Sequence, residues 1–192
     1  MRLLLSFALV LSMNASQIER AQQVARGRDS ERQQFHRRYV FELDDPAVTH
    51  IEIITEFRRL VLVTEEHILR GDWLFSRSVP SAEKALASTR GVVTIRALVR
   101  FNPLNTYITP PAYLLAMTAN EGGLPIALET QVSPQFSTPF KARGGKMVSS
   151  LVGATLEAEV ASDQIGQSTR VVAVSLDGKE LARRRVEFGK LD

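Results

Sequence analysis

Cysteine is absent from the 192 residues. This excludes disulfides, zinc–thiolate sites, a thiol nucleophile and a lipidated cysteine. Histidine occurs three times, at His36, His50 and His67, with no metal-ligand spacing among them. "TEEH" lacks the second histidine of a zincin helix. There is no G-x-S-x-G elbow. "RGGKMVS" is not a phosphate loop, because Met147 follows Lys146 and Phe140 stands where the first glycine belongs. The adjacent acids Asp44-Asp45 and Glu65-Glu66 have ready roles in a turn and on a helix surface. No catalytic residue, cofactor-binding residue or metal ligand is therefore expected, and no cofactor. Internal repeats and low-complexity tracts are also lacking.

Long apolar runs are scarce. The exception is "LLLSFALVLSM" at 3–13, which follows Arg2 and precedes the small residues "NAS". Charge, apolar core and small residues in that order fit a secretory signal peptide. The run is too short for a transmembrane helix, which needs about 20 residues. Residues 1–16 are read as a signal cleaved after Ala15 or Ser16; a buried N-terminal strand or helix is the competing reading. The expected location is periplasmic or extracellular. No other segment is apolar enough to span a bilayer.

Without disulfides an exported chain depends on its core. About 175 mature residues suffice for one domain burying roughly 70% of its unfolded surface. The net charge of +3 is unevenly distributed. Residues 17–38 hold six arginines against three acids, whereas 39–192 are close to neutral. Ile18, Ala21, Val24 and Ala25 form only a thin helical stripe, interrupted by Gly27. Residues 17–38 read as a basic, flexible or partly helical leader, more a solvated linker than an arm for acidic membrane. Nucleic acid is not an expected partner of an exported chain.

The body, 39–192, reads as a single β-rich domain. Tyr39, Phe41 and Leu43 alternate, Asp44-Asp45-Pro46 turns the chain, and Thr49, Ile51 and Ile53 alternate in a second strand. The period then becomes helical through Phe57, Leu60, Val61, Thr64 and Ile68, with Thr55 as N-cap and Gly71 at the C-terminal cap. Helix is preferred over a strand through "RRLVLVTEE". "SAEKALAS" at 81–88 is a short second helix capped by Ser81. Strands follow at 91–101, in "AYLLAMTA", in "LPIALETQV" (demoted toward an edge by Pro125) and in "ATLEAEV". A turn is expected at 120–123 and a long irregular connection at 133–149. The chain ends in a hairpin around Asp177-Gly178, a type I′ signal. A two-residue turn there opposes Val174 to Leu181, but Val186 and Phe188 then have the wrong parity. Either both faces are partly buried or a bulge within 182–185 restores it, and the bulge is preferred.

This order predicts a mostly β fold, α+β at the margin. The expected architecture is an antiparallel β-sandwich, immunoglobulin-like in general shape, with one medium and one short helix inserted after the first hairpin. A half-open barrel is the alternative. "ITEFRRLVLVTEEHILRGDWLF", followed by a β-rich tail ending "LDGKELARRRVEF", resembles exported bacterial proteins to which no activity is attached. The resemblance covers most of the mature chain. It implies export and one mostly β or α+β module, and no catalytic residue.

The expected function is that of a non-enzymatic exported module binding a protein or cell-envelope component, with the loops at 102–111 and 133–149 as its contact end. The alternative is a small-ligand or carbohydrate binder using Trp73, Tyr107 and Tyr113. Trp73 is the single tryptophan; a core role locking the helix onto the sheet competes with a stacking role. Arg58 and Arg59 are candidate anion ligands that more simply pair with nearby carboxylates. "RGD" at 70–72 reads as helix capping. In "NPLNTYITPP" the prolines separate two strands, which leaves Asn105 and Tyr107 at the tip as candidate contacts.

Overall fold

The computed structural model describes residues 13–118, 124–141, 144–145, 147–165 and 168–191. Two helices open it, α1 (Ala15–Ala25) and α2 (Asp29–Arg37). Strands β1 (Val40–Glu42) and β2 (Val48–Ile54) pair antiparallel, Phe41 opposite Ile51. The Asp45 carboxylate shapes the turn between them, accepting the Ala47 and Val48 N–H groups at 2.8 and 2.9 Å. Next come α3 (Glu56–Leu69), a 3₁₀ turn (Phe75–Arg77) and α4 (Val79–Leu86). The remaining strands are β3 (Val92–Arg100), β4 (Tyr113–Thr118), β5 (Ile126–Ala127), β6 (Gln131–Phe136), β7 (Phe140–Lys141), β8 (Met147–Val148), β9 (Leu151–Ala161), β10 (Thr169–Leu176) and β11 (Lys179–Glu187). A short helix, α5 (Ser162–Ile165), follows β9.

The fold is mostly antiparallel β with helices. One sheet has the order β1-β2-β3-β9-β6, a second β11-β10-β4-β5, and β7-β8 form a small third. Apolar alternation decides which faces are buried. On β3 the inward set is Val93, Ile95, Ala97 and Val99; on β9 it is Leu156, Ala158 and Val160. Leu115, Val172, Val174 and Val186 from the second sheet join them in one continuous core. Tyr39 is buried there, and its hydroxyl donates to the Leu191 carbonyl, tying the start of the β region to the end of the chain.

A second core belongs to the helices. Ile18, Ala21 and Ala25 of α1 pack with Leu60, Val61, Phe75, Ala82 and Leu86. Gln22 is buried among them and donates through Nε2 to the Phe75 and Ser78 carbonyls at 2.9 and 3.2 Å. The segment read as a leader is therefore two helices, the first of them packed into the fold. Its start carries a capping box: Asn14 Oδ1 accepts the Gln17 N–H, and Gln17 Oε1 accepts the Asn14 N–H, each at 2.9 Å. The residues "NAS", which fit a cleavage site, are thus also a helix start.

α3 follows the sequence expectation. Thr55 Oγ1 accepts the Arg58 N–H at 3.2 Å, and Gly71 adopts φ 84° past the last turn. In α4 the cap shifts: Ser78, not Ser81, is the N-cap, with Pro80 in the first turn, where a missing N–H costs nothing. "LPIALETQV" divides between the sheets. Ile126–Ala127 pair with β4, and the chain then crosses to β9 as β6. Thr130 Oγ1 makes the crossing, accepting the Leu115 N–H and donating to the Leu128 carbonyl, both at 2.9 Å. The expected irregular connection at 133–149 contains the end of β6 together with β7 and β8, and the expected turn at 120–123 lies outside the described residues.

The terminal hairpin has its I′ turn, with φ 51° at Asp177 and 75° at Gly178. Leu176 opposes Lys179 and Ser175 opposes Glu180, but Val174 opposes Ala182. Leu181 is the extra residue. The bulge therefore falls one residue before the expected window and brings Val186 into the core.

Candidate functional site

The loop between β3 and β4 is organised by its asparagines. Phe101 completes the buried face of β3. Asn102 Oδ1 accepts the Leu104 N–H at 2.9 Å, and the Asn102 carbonyl accepts the Asn105 N–H at 2.9 Å. Asn105 Nδ2 donates to the carbonyls of Asn102 and Leu151, at 2.8 and 3.1 Å, while its Oδ1 accepts the Tyr107 N–H at 3.0 Å. Asn105 thus positions Tyr107 and fastens this loop to the start of β9, its amide hydrogens already engaged.

The loop borders an open cavity of about 420 Å³ lined by Ala47, Arg100, Phe101, Leu104, Tyr107 and Tyr113, among others. Three rings form its aromatic side. Phe101 meets Tyr107 edge-on at 5.2 Å and 74°, and stacks with Tyr113 at 6.1 Å and 15°. Tyr107 is 46% exposed and Tyr113 only 5%. Burial raises the Tyr113 pKa, with Tyr107 and Asp177 adding to it, so this phenol keeps its proton.

Arg100 is the charged residue of the cavity, and sequence reasoning passed over it. Along the polar face of β3 it follows Arg96 by four residues. Arg96 lies opposite Glu157 and donates to Glu157 at 2.6 Å and Glu52 at 3.1 Å. Burial opposes its charge, and these two carboxylates outweigh burial, so its pKa is raised. Arg100 instead lies opposite Gly153. A Cβ at Gly153 would sit 2.4 Å from the Val99 carbonyl oxygen, so the strands approach there more closely than any side chain permits. No carboxylate among the described residues pairs with Arg100. The alternation of arginines was legible; the register that sets a glycine across from the second was not.

The other loop, 133–149, meets the same end. Phe136 pairs with Leu151, the Ser137 N–H donates to the Ser150 carbonyl at 2.8 Å, and Phe140 opposes Val148. Exposed apolar side chains gather on both loops: Leu104 and Ile108 on the first, Phe136, Phe140 and Met147 on the second.

The remaining candidates lie elsewhere. Arg58 is 2% exposed, pairs with Glu52, donates to the Ile53 carbonyl at 2.7 Å, and lies over the Tyr39 ring at 5.1 Å. Arg59 donates to the carbonyls of Thr89 and Val92 and, at 2.5 Å, to Thr94 Oγ1, joining α3 to β3. Burial lowers both pKa values. These two arginines are structural. Trp73 does not lock the helix to the sheet: it is 58% exposed, and Phe75 enters the helical core instead, stacked on His67 at 3.8 Å. In "RGD", Gly71 ends α3. Asp72 accepts from the Phe75 N–H at 3.2 Å and pairs with His67 at 2.9 Å. The His67 hydrogen bond, with that N–H, lowers its pKa.

Among the described residues no group of three or more His, Asp or Glu side chains is arranged to hold a metal ion, and no helix is long and apolar enough to cross a membrane. The fold and site define a mostly antiparallel β protein with a packed helical subdomain and an aromatic-lined cavity at one loop end. No protein-family model matches the chain, and no curated protein matches it.

Proposed function

We propose that this protein is an exported, non-enzymatic binding module that engages a protein or cell-envelope component through the end carrying the loops at 102–111 and 133–149. The observation that carries this reading is the junction of the two loops. The Asn105–Leu151 hydrogen bond fastens the first loop to the start of β9, where Phe136 of the second segment pairs with the same Leu151, and both present exposed apolar side chains. Exposed apolar groups on a fixed scaffold suit recognition. In the same reading the two larger sheets are the layers of a β-sandwich, immunoglobulin-like in general shape; their shared core supports it.

The carbohydrate alternative gains less support. It calls on Trp73, Tyr107 and Tyr113 together, yet Trp73 does not line the cavity and Tyr113 is buried.

A photo-crosslinker at Ile108 or Phe140 is expected to give a discrete adduct in envelope fractions, and one at Leu74, an exposed residue of the helical subdomain, is expected to give none. Equal labelling at all three positions would count against the loop end. For export, the mature N-terminus is expected at Ser16 or Gln17. Both cuts fall in the first turn of α1, so cutting would have to precede the folding of that helix. Intact Met1 in a soluble cytosolic fraction would overturn export.

A further inference from the structure

We propose that the cavity at the end of β3 binds a carboxylate-bearing ligand, its carboxylate on the Arg100 guanidinium and an adjoining apolar or planar group against Leu104 and Tyr107. This deepens the loop-end reading and rests on it.

The first support is the contrast between two arginines on one strand face. Arg96 is matched by Glu52 and Glu157, whereas Arg100, exposed at the end of β3, faces Gly153 and has no acidic partner among the described residues. An arginine fork matches a carboxylate bidentately, and its plane stacks readily on an aromatic ring. The second is shape. A cavity of about 420 Å³ with one aromatic side has room for a small acid and its substituent. The third is charge balance. One unmatched cation suits a monoanion. Tyr107 is held by the Asn105 side chain and edge-on contact with Phe101, so little ordering is needed on binding.

The test is an NMR titration of the ¹⁵N-labelled full chain with hippurate, its neutral amide hippuramide, and inorganic phosphate. Hippurate is expected to shift the Arg100 side-chain N–H and the Tyr107 amide. Hippuramide should bind at least about tenfold more weakly, the factor worth roughly 1.4 kcal/mol, and phosphate no more tightly than hippurate. Arg100→Gln should abolish the hippurate response without changing the melting temperature, and Arg100→Lys should restore part of it. A short peptide with a free C-terminus, compared with its amidated form, identifies the source. Tighter binding of the free form than of hippurate points to a partner's C-terminus, and the reverse to a free small acid. Equal binding of hippurate and hippuramide, tighter binding of phosphate, an undiminished Arg100→Gln response, or no shift with any carboxylate in large excess would each overturn the proposal. Crosslinking at Ile108 and Phe140 without a carboxylate response would leave the loop-end surface standing and remove this inference alone.

Discussion

Replacing Arg58 with alanine is expected to destabilise the fold by about 3–5 kcal/mol, the range for breaking a buried ion pair from one side. The side chain leaves the first turn of α3 and enters the space between that helix and the β1–β2 pair. There it meets the Glu52 carboxylate, the Ile53 carbonyl at 2.7 Å and the Tyr39 ring. Glu52 keeps Arg96 at 3.1 Å, which limits the loss on the acidic side. The Ile53 carbonyl has no such substitute, and an unsatisfied buried acceptor costs about 1–3 kcal/mol. Arg58→Met, which fills the space without a charge, should cost less than alanine. Arg70→Ala is the control: its partner Glu66 is 57% exposed, and a surface pair of this kind is worth about 0–1 kcal/mol. Urea unfolding of the three variants provides the comparison. A loss below about 1 kcal/mol for Arg58→Ala would show that the helix and the hairpin dock without this bridge.

Deleting residues 17–38 should be as damaging, although their composition resembles a linker. The deletion removes Ile18, whose full burial is worth about 1.5–3 kcal/mol, and uncovers Leu60 and Val61 on α3. It also removes Gln22 and leaves the carbonyls of Phe75 and Ser78 without their donor, a further cost of about 1–3 kcal/mol. Together these predict a loss of about 3–6 kcal/mol. At about 2–4 °C per kcal/mol for a chain of this size, the melting temperature should fall by about 6–24 °C. Unchanged melting would return the segment to the status of a leader. Any contribution of its arginines to binding is better tested by charge substitutions at Arg20 and Arg26, which are exposed.

Local chemistry made several elements legible. Thr55, the helical spacing of Leu60, Val61 and Thr64, and Gly71 define α3 from neighbours within one turn of one another. The alternation on β3 identifies its buried face. The parity conflict in the last hairpin favoured a bulge over two partly buried faces because side chains alternate strictly along a strand. The errors have equally specific causes. The stripe of α1 is thin because two of its buried positions are alanine and a third is Gln22, which counts as apolar only once its partners are known. Pro134 and the short polar run around it disguised β6, an edge strand where a missing N–H is tolerated. Trp73 was expected to lock the helix onto the sheet but is exposed, since the 3₁₀ turn brings Phe75 inward instead.

By itself the sequence determined the absence of cysteine chemistry, the mostly β character of the body, α3, the I′ hairpin and the proline-bounded corner between β3 and β4. These follow from residues close together in the chain and from backbone restrictions that act locally. Only the tertiary structure decided that α1 belongs to the interior, that Arg58 and Arg59 are structural, that the loops at 102–111 and 133–149 meet at Leu151, and that Arg100 faces a glycine. Each of these depends on strand register and helix docking between residues from about twenty to more than fifty positions apart, Arg58 over the Tyr39 ring being the shortest separation. Register and docking are set by the packing of whole faces, which a pattern read along the chain does not contain.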